Sequence, residues 1–177
     1  MQGPRRLVVL RHAKSAWPPD VADHDRPLAG RGRRDAPAAG RWLRDADCVP
    51  DLVVCSTAAR ARETWELAAA QLPAPPPVRH DPRLYAAEPA DVITVVRETP
   101  DDVGTLLLVG HNPAVQDVVL RCAAQALGDA LDRAREKFPT SAIAVLAQRG
   151  TWSAAGPRTA LLTDFAVPRG TRPSDAG

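Results

Sequence analysis

Short apolar runs alternate along the chain with longer stretches in which apolar residues recur at helical spacing. Residues 7–10, 52–55 and 105–109 are apolar throughout or nearly so, the pattern of strands buried on both faces. Residues 28–46, 58–72, about 89–98 and 113–127 predict helices, with a short strand near Val78 and final strands over 141–148 and 160–165. This alternation predicts an α/β fold, a three-layer α/β/α sandwich around a mostly parallel sheet. The turn at Arg149-Gly150 reads as short, so the last two strands should add an antiparallel component. The proline-rich stretch 73–77 interrupts helix and reads as a stiff connector. Residues 1–166 are expected to form one domain, and the polar, Pro- and Gly-containing segment 167–177 to be frayed.

Composition narrows the class. A chain of 177 residues with 45% hydrophobic content can fill one core. Its 23 basic and 21 acidic residues are interspersed, a net charge of +2, so no basic stripe points to a nucleic-acid partner and any anion site must be local. No apolar run has the length of a membrane span or of a signal-peptide core, which predicts a cytoplasmic protein with no membrane partner. Cys48, Cys55 and Cys122 form no CxxC pair and leave at least one thiol over, which argues against a disulfide framework and a cysteine-based zinc site; they read as small buried apolar residues.

Reactive side chains collect where strands end. The first strand runs into Arg11-His12, at the carboxyl edge where open α/β sheets bind ligands. The strand over 105–109 runs into Gly110-His111-Asn112-Pro113, with Asn112 a candidate N-cap and Pro113 suited to the first helical position, so a second histidine stands at a helix start. The strand ending near Ser56 leads into Arg60, in the first turn of the next helix. Thr64 shares its face, whereas Arg62 points elsewhere and reads as a solvated surface charge. Arginine offers a planar fork that bonds two phosphate oxygens at once and keeps its charge at any physiological pH. Each feature alone is weak, but histidines and arginines converging from three strand ends form a cationic cluster that folding alone would not favour.

The ordered motifs resemble the histidine phosphatase superfamily, the phosphoglycerate mutase-like fold, in the form of its SixA-type phosphohistidine phosphatases. The resemblance is carried by Arg11-His12-Ala13-Lys14, Asp25-Arg26-Pro27-Leu28 followed by Gly30, Ser56-x-x-x-Arg60-x-x-x-Thr64, Gly110-His111-Asn112-Pro113 and Phe138-Pro139-Thr140-Ser141-Ala142-Ile143, and it spans nearly the whole chain. It implies that His12 attacks phosphorus and briefly carries the phosphoryl group, that Arg11, Arg26 and Arg60 clamp its oxygens, that His111 stabilises the growing charge, and that water then releases inorganic phosphate. It implies no cofactor and no metal, in keeping with phosphoryl transfer as a matter of positioning and electrostatics. His12 has to be unprotonated at the attacking nitrogen, and a cationic pocket disfavours its protonation.

Other residues admit two readings. Lys14 and Ser15 either touch phosphate or form an exposed loop; Trp17 and Tyr85 either flank the entrance or cover the core. Glu88 is the candidate acid for a departing alkoxide, yet it and Asp91 equally suit the N-terminus of the third helix. An imidazole leaving a phosphohistidine needs such an acid less. The chain also has little room for an inserted cap between its second and third helices, which predicts an open pocket. A phosphorylated protein bearing phosphohistidine is therefore the expected partner, with a small phosphoester, or a phosphate-binding module without catalysis, as alternatives. A mutase would require a pocket closed to water.

Overall fold

The computed structural model describes residues 3–172. Its elements are β1 (Arg5–Arg11), α1 (Gly30–Asp45), β2 (Leu52–Ser56), α2 (Ala59–Ala69), β3 (Val78–Asp81), α3 (Pro89–Arg97), β4 (Thr105–Gly110), α4 (Ala114–Cys122), β5 (Ala123–Ala126), α5 (Ala130–Glu136), β6 (Ile143–Gln148) and β7 (Ala160–Ala166). The strands form one seven-stranded sheet in the order β3-β2-β4-β1-β6-β7-β5. β1, β2, β3 and β4 are mutually parallel, β6 is antiparallel to both β1 and β7, and β5 is parallel to β7. The sheet is thus mostly parallel with β6 reversed, the α/β/α arrangement expected from the sequence.

The apolar run of β1 splits by the two-residue period of a strand. Leu7 and Val9 pack with Leu106, Leu108 and residues of α3, α4 and α5. Val8 and Leu10 pack on the other face with Leu107, Val109 and residues of α1 and α2, including Leu43, Ala61 and Trp65. Burial on both faces explains why these strands read as continuous apolar stretches rather than alternating ones. All three cysteines are free and buried.

Two expectations are corrected. The helix from 113 ends at Cys122, because Ala123 turns to an extended backbone (φ −70°, ψ 109°) and the chain becomes β5. No Gly or Pro marks that break; pairing with β7 supplies the strand's hydrogen bonds and overrides local propensity. α5 likewise was not foreseen. The antiparallel pair β6 and β7 is present, but its connection runs over residues 149–159 and includes a turn, Trp152–Ala154, whose buried Trp152 donates Nε1–H to the Val103 carbonyl (2.8 Å). Beyond Val167, Arg169 and Gly170 bond to α1. Asp35, 1% exposed within α1, accepts from Arg169 Nη1 (3.3 Å) and from the Gly170 amide (2.9 Å), the partners a buried carboxylate requires. Residues 173–177 of the expected frayed tail lie outside the described residues. Among the described residues no helix is long and apolar enough to cross a membrane.

α1 and α2 approach closely at Gly40, where a Cβ would collide with the carbonyl oxygen of Ala68. Backbone cannot rotate out of the way as a side chain can. Gly40→Ala is therefore expected to destabilise the fold by ~1–3 kcal/mol through forced separation of the two helices, measured as a lower urea midpoint with an unchanged slope.

Candidate active site

The carboxyl ends of β1, β4 and β2 deliver Arg11-His12, Gly110-His111 and Ser56 to one edge of the sheet. Reversal of β6 sends the chain into it from that same edge, so residues 138–142 lie beside the parallel strand ends. The Ser141 amide donates to the carbonyls of Arg11 and His12 (3.1 Å each). Arg11 Nη1 and Asn112 Nδ2 both donate to the carbonyl of Phe138 (2.9 and 3.0 Å). A cavity of about 240 Å³ opens here, lined by Arg11, His12, Lys14, Ser15, Trp17, Arg26, Arg60, His111, Asn112 and Thr140. Two wider grooves, about 500 and 530 Å³, surround Arg5 and hold none of the histidines.

The structure thus brings together Arg11, His12, Arg26, Arg60 and His111, from four separate segments. The rings of His12 and His111 lie 5.1 Å apart between centroids. His12, Arg26 and Arg60 are buried, whereas Arg62 is exposed. Lys14 is exposed at the rim, and Ser15 is buried, its Oγ accepting from Arg26 Nη1 (2.8 Å). Trp17 is 74% exposed with its ring 3.5 Å from the Arg26 guanidinium carbon, a cation–π contact at the cavity mouth. Tyr85 packs edge-on against His111 at 5.7 Å.

Glu88 is not brought into this cavity. It is exposed at the start of α3, where its amide donates to Asp91 Oδ2 (2.9 Å), and it lines an adjoining cavity that shares His111 and Asn112. Asn112 is not an N-cap either: α4 starts at Ala114, with Pro113 as the preceding residue, and the Asn112 amide is spent on Phe138.

Hydrogen bonding fixes the state of the first histidine. His12 Nδ1 lies 2.7 Å from the carbonyl oxygen of Ala13, and a carbonyl only accepts, so Nδ1 carries the proton. In the neutral ring Nε2 then holds a lone pair, and it has no hydrogen-bond partner among the described residues. Burial pulls the His12 pKa from 6.5 to about 3; the Ala13 bond opposes this, while His111, Arg60 and Arg11 add to it. Burial, then Arg60, likewise lowers His111 to about 4. Both imidazoles are neutral around pH 7. His111 Nε2 is 2.7 Å from Ser56 Oγ, and its buried Nδ1 has no partner among the described residues.

Sequence reasoning gave no supporting role to three residues, although two of them, Ser56 and Thr64, stand in its motifs. Ser56 holds His111. Thr64 Oγ1 donates to the Arg60 carbonyl (2.6 Å) and accepts from the Ala13 amide (3.0 Å), tying α2 to the residue after His12. Asp23 bonds both Arg26 and Arg60 (3.0 and 3.2 Å). The only available signal for Asp23 was its position three residues before Arg26, and such spacings are common. Among the described residues, no three His, Cys, Asp or Glu side chains are grouped to hold a metal ion.

Comparison with known proteins agrees with this geometry. The sequence model of the histidine phosphatase superfamily (branch 1) matches residues 7–88. An uncharacterized protein of Mycobacterium tuberculosis is 48% identical over 162 residues, covering 90% of this chain and 100% of its own. A Nakamurella multipartitia protein provisionally named phosphohistidine phosphatase SixA has a structure that superposes with a TM-score of 0.81 at 36% identity, covering 94% of this chain and 97% of the other. One from Agrobacterium tumefaciens, named in the same way, gives 0.76 at 29% identity, covering 94% and 99%. With the motifs in order and their side chains gathered around one cavity, this chain belongs to the histidine phosphatase superfamily, in its SixA-type group.

Proposed function

We propose that the protein is a cytoplasmic, metal-independent phosphatase that passes a phosphoryl group through His12 to water, with phosphohistidine on a protein as its substrate. The observation that carries this is the state of His12: Nδ1–H is tied to the Ala13 carbonyl, which leaves the Nε2 lone pair as nucleophile in a cavity lined by three arginines.

In the first step the Nε2 lone pair attacks phosphorus, the substrate's P–N bond breaks, and its electron pair returns to the leaving ring, which departs as neutral imidazole with the proton on its other nitrogen. In the second, water attacks the phosphoryl group on His12, the P–Nε2 bond breaks with its pair returning to Nε2, and the water proton leaves with inorganic phosphate. Arg11, Arg26 and Arg60 hold the phosphoryl oxygens, and His111 donates a hydrogen bond to them. These fixed positive groups do the work that a metal does in other phosphoryl-transfer sites.

Two features favour a protein substrate. The cavity mouth is bordered by exposed Trp17 and Lys14, with no cap domain between α2 and α3. Glu88 stands in the adjoining cavity, and an imidazole leaving group does not depend on such an acid. The same Glu88, bordering His111 and Asn112 from that side, favours the second reading of a small phosphoester phosphatase, in which it would protonate an alkoxide.

Turnover of a phosphohistidine-bearing phosphocarrier protein should exceed that of a panel of phosphoesters and vanish in His12→Ala, with acid-labile phosphate trapped on His12 after brief mixing of the wild type. Turnover of phosphoesters alone would overturn the substrate. Arg60→Ala should lower kcat/KM by ~10²–10³-fold, the scale of losing one preorganised donor to the transition state.

The neutral histidines also set a pH dependence. Their folded-state pKa values, about 3 and about 4, lie below the ordinary 6.5. Between those limits the unfolded chain binds protons at both rings that the folded chain does not, so stability falls as pH drops from 6.5 toward about 4. Urea unfolding across that window should show this slope, and His12→Asn should flatten it.

A further inference from the structure

Resting on the phosphatase assignment, we infer that Asp23 is a positioning residue: its carboxylate aims the guanidinium groups of Arg26 and Arg60 at the phosphoryl site and fixes Tyr85 beside them. Asp23 does not line the cavity. It stands in the turn Asp23–Asp25 of the loop between β1 and α1, with its side chain 49% exposed. Four side-chain donors nevertheless converge on it. Oδ1 accepts from Arg26 Nε (3.0 Å), Oδ2 from Arg60 Nη2 (3.2 Å) and Tyr85 Oη (2.6 Å), and its carbonyl oxygen from Arg60 Nη1 (2.7 Å).

Counting donors shows what this does. A guanidinium has five N–H groups in a rigid plane. Arg26 gives Nε–H to Asp23 and uses Nη1 on Ser15 Oγ and the Ala16 carbonyl (2.8 and 3.1 Å), with the Trp17 ring against the plane. Its Nη2 bonds to no described residue and is left for a ligand. Arg60 places one bond from each terminal nitrogen on Asp23, which leaves the second hydrogen of each for the cavity, while its Nε–H is buried without a partner among the described residues. Both cations are thus gripped from one side and lend the cavity their remaining donors. Without the shared carboxylate, two buried positive groups that contact the same residue would repel each other and lose their orientation.

The alternative is that Asp23 acts only through its charge, as an anion opposing phosphate. The two differ in sign. Loss of aim weakens oxyanion binding when Asp23 is removed, whereas relief of repulsion strengthens it. Hydrogen bonds, Tyr85 first, hold the Asp23 carboxyl down at about 2, so it stays ionised throughout the working range. The same bond raises the Tyr85 phenol above its ordinary 10. Tyr85 is the sole tyrosine in the sequence, so tyrosinate absorbance reports this network directly.

The test compares the wild type with Asp23→Ala and Asp23→Asn for binding of orthovanadate and inorganic phosphate by calorimetry, which requires no turnover. Asp23→Ala should weaken both by about 10-fold or more, the scale of a charged hydrogen bond. Asp23→Asn, which keeps one acceptor, should fall between it and the wild type. Tyr85 should titrate at lower pH in both variants, with far-UV circular dichroism confirming that each is folded at the temperature of the titration. Unchanged or tighter anion binding, with the tyrosine shift present, overturns the positioning role. A wild-type protein that binds neither anion overturns the phosphatase assignment along with it.

Discussion

The site depends on gathering like charges without neutralising them. Arg11, Arg26 and Arg60 meet at one cavity, and what holds them is mostly uncharged: the carbonyls of Phe138, Ala16 and Asp23 and the hydroxyl of Ser15. Asp23, bonded to Arg26 and Arg60 but not to Arg11, is the single carboxylate among the described residues that bonds any of the three. Positive potential therefore persists where an anion would bind, and with burial it keeps His12 and His111 in their neutral forms. A more compensated cluster would be easier to fold and poorer at receiving phosphate.

The sheet makes this gathering possible. Parallel pairing of β1 with β4 and of β4 with β2 stacks three strand ends at the same edge. Reversing β6 beside β1 brings residues 138–142 to that edge from the opposite direction, and they supply the carbonyl that orients Arg11 and Asn112. Packing and chemistry are joined again at Thr64, buried in α2, which braces the residue after His12 and the backbone of Arg60 in one pair of bonds.

Residues whose signal is local were legible in the chain. Apolar runs located β1, β2, β4 and β6, and strand-end histidines and arginines pointed to the edge where the structure gathers them. What was not legible depends on pairing in space. β5 is a strand because β7 lies beside it, and nothing in Ala123–Ala126 announces that. Asp23 looks like any loop carboxylate until Arg60, 37 residues away, folds against it. Glu88 shows the converse: the family resemblance made it the candidate acid, yet the exposed start of α3 places it in the next cavity.

A nucleophile with so low a pKa looks too weakly basic to accept a phosphoryl group, but the value belongs to the site before the anion arrives. A phosphoryl group brings between one and two negative charges at neutral pH. Placed among the arginines, it cancels the Coulombic part of what depresses His12, the part that adds to burial, so the ring gains some basicity as the P–Nε2 bond forms. The field returns once inorganic phosphate departs, and Nε2 is again a free lone pair. In the proposed reaction the donor that matches this cycle is one whose leaving nitrogen resembles His12 itself, because exchange between two imidazoles starts from nearly balanced bonds. An alkoxide would have to leave against a much steeper gradient, and there the acid in the neighbouring cavity would become necessary rather than incidental.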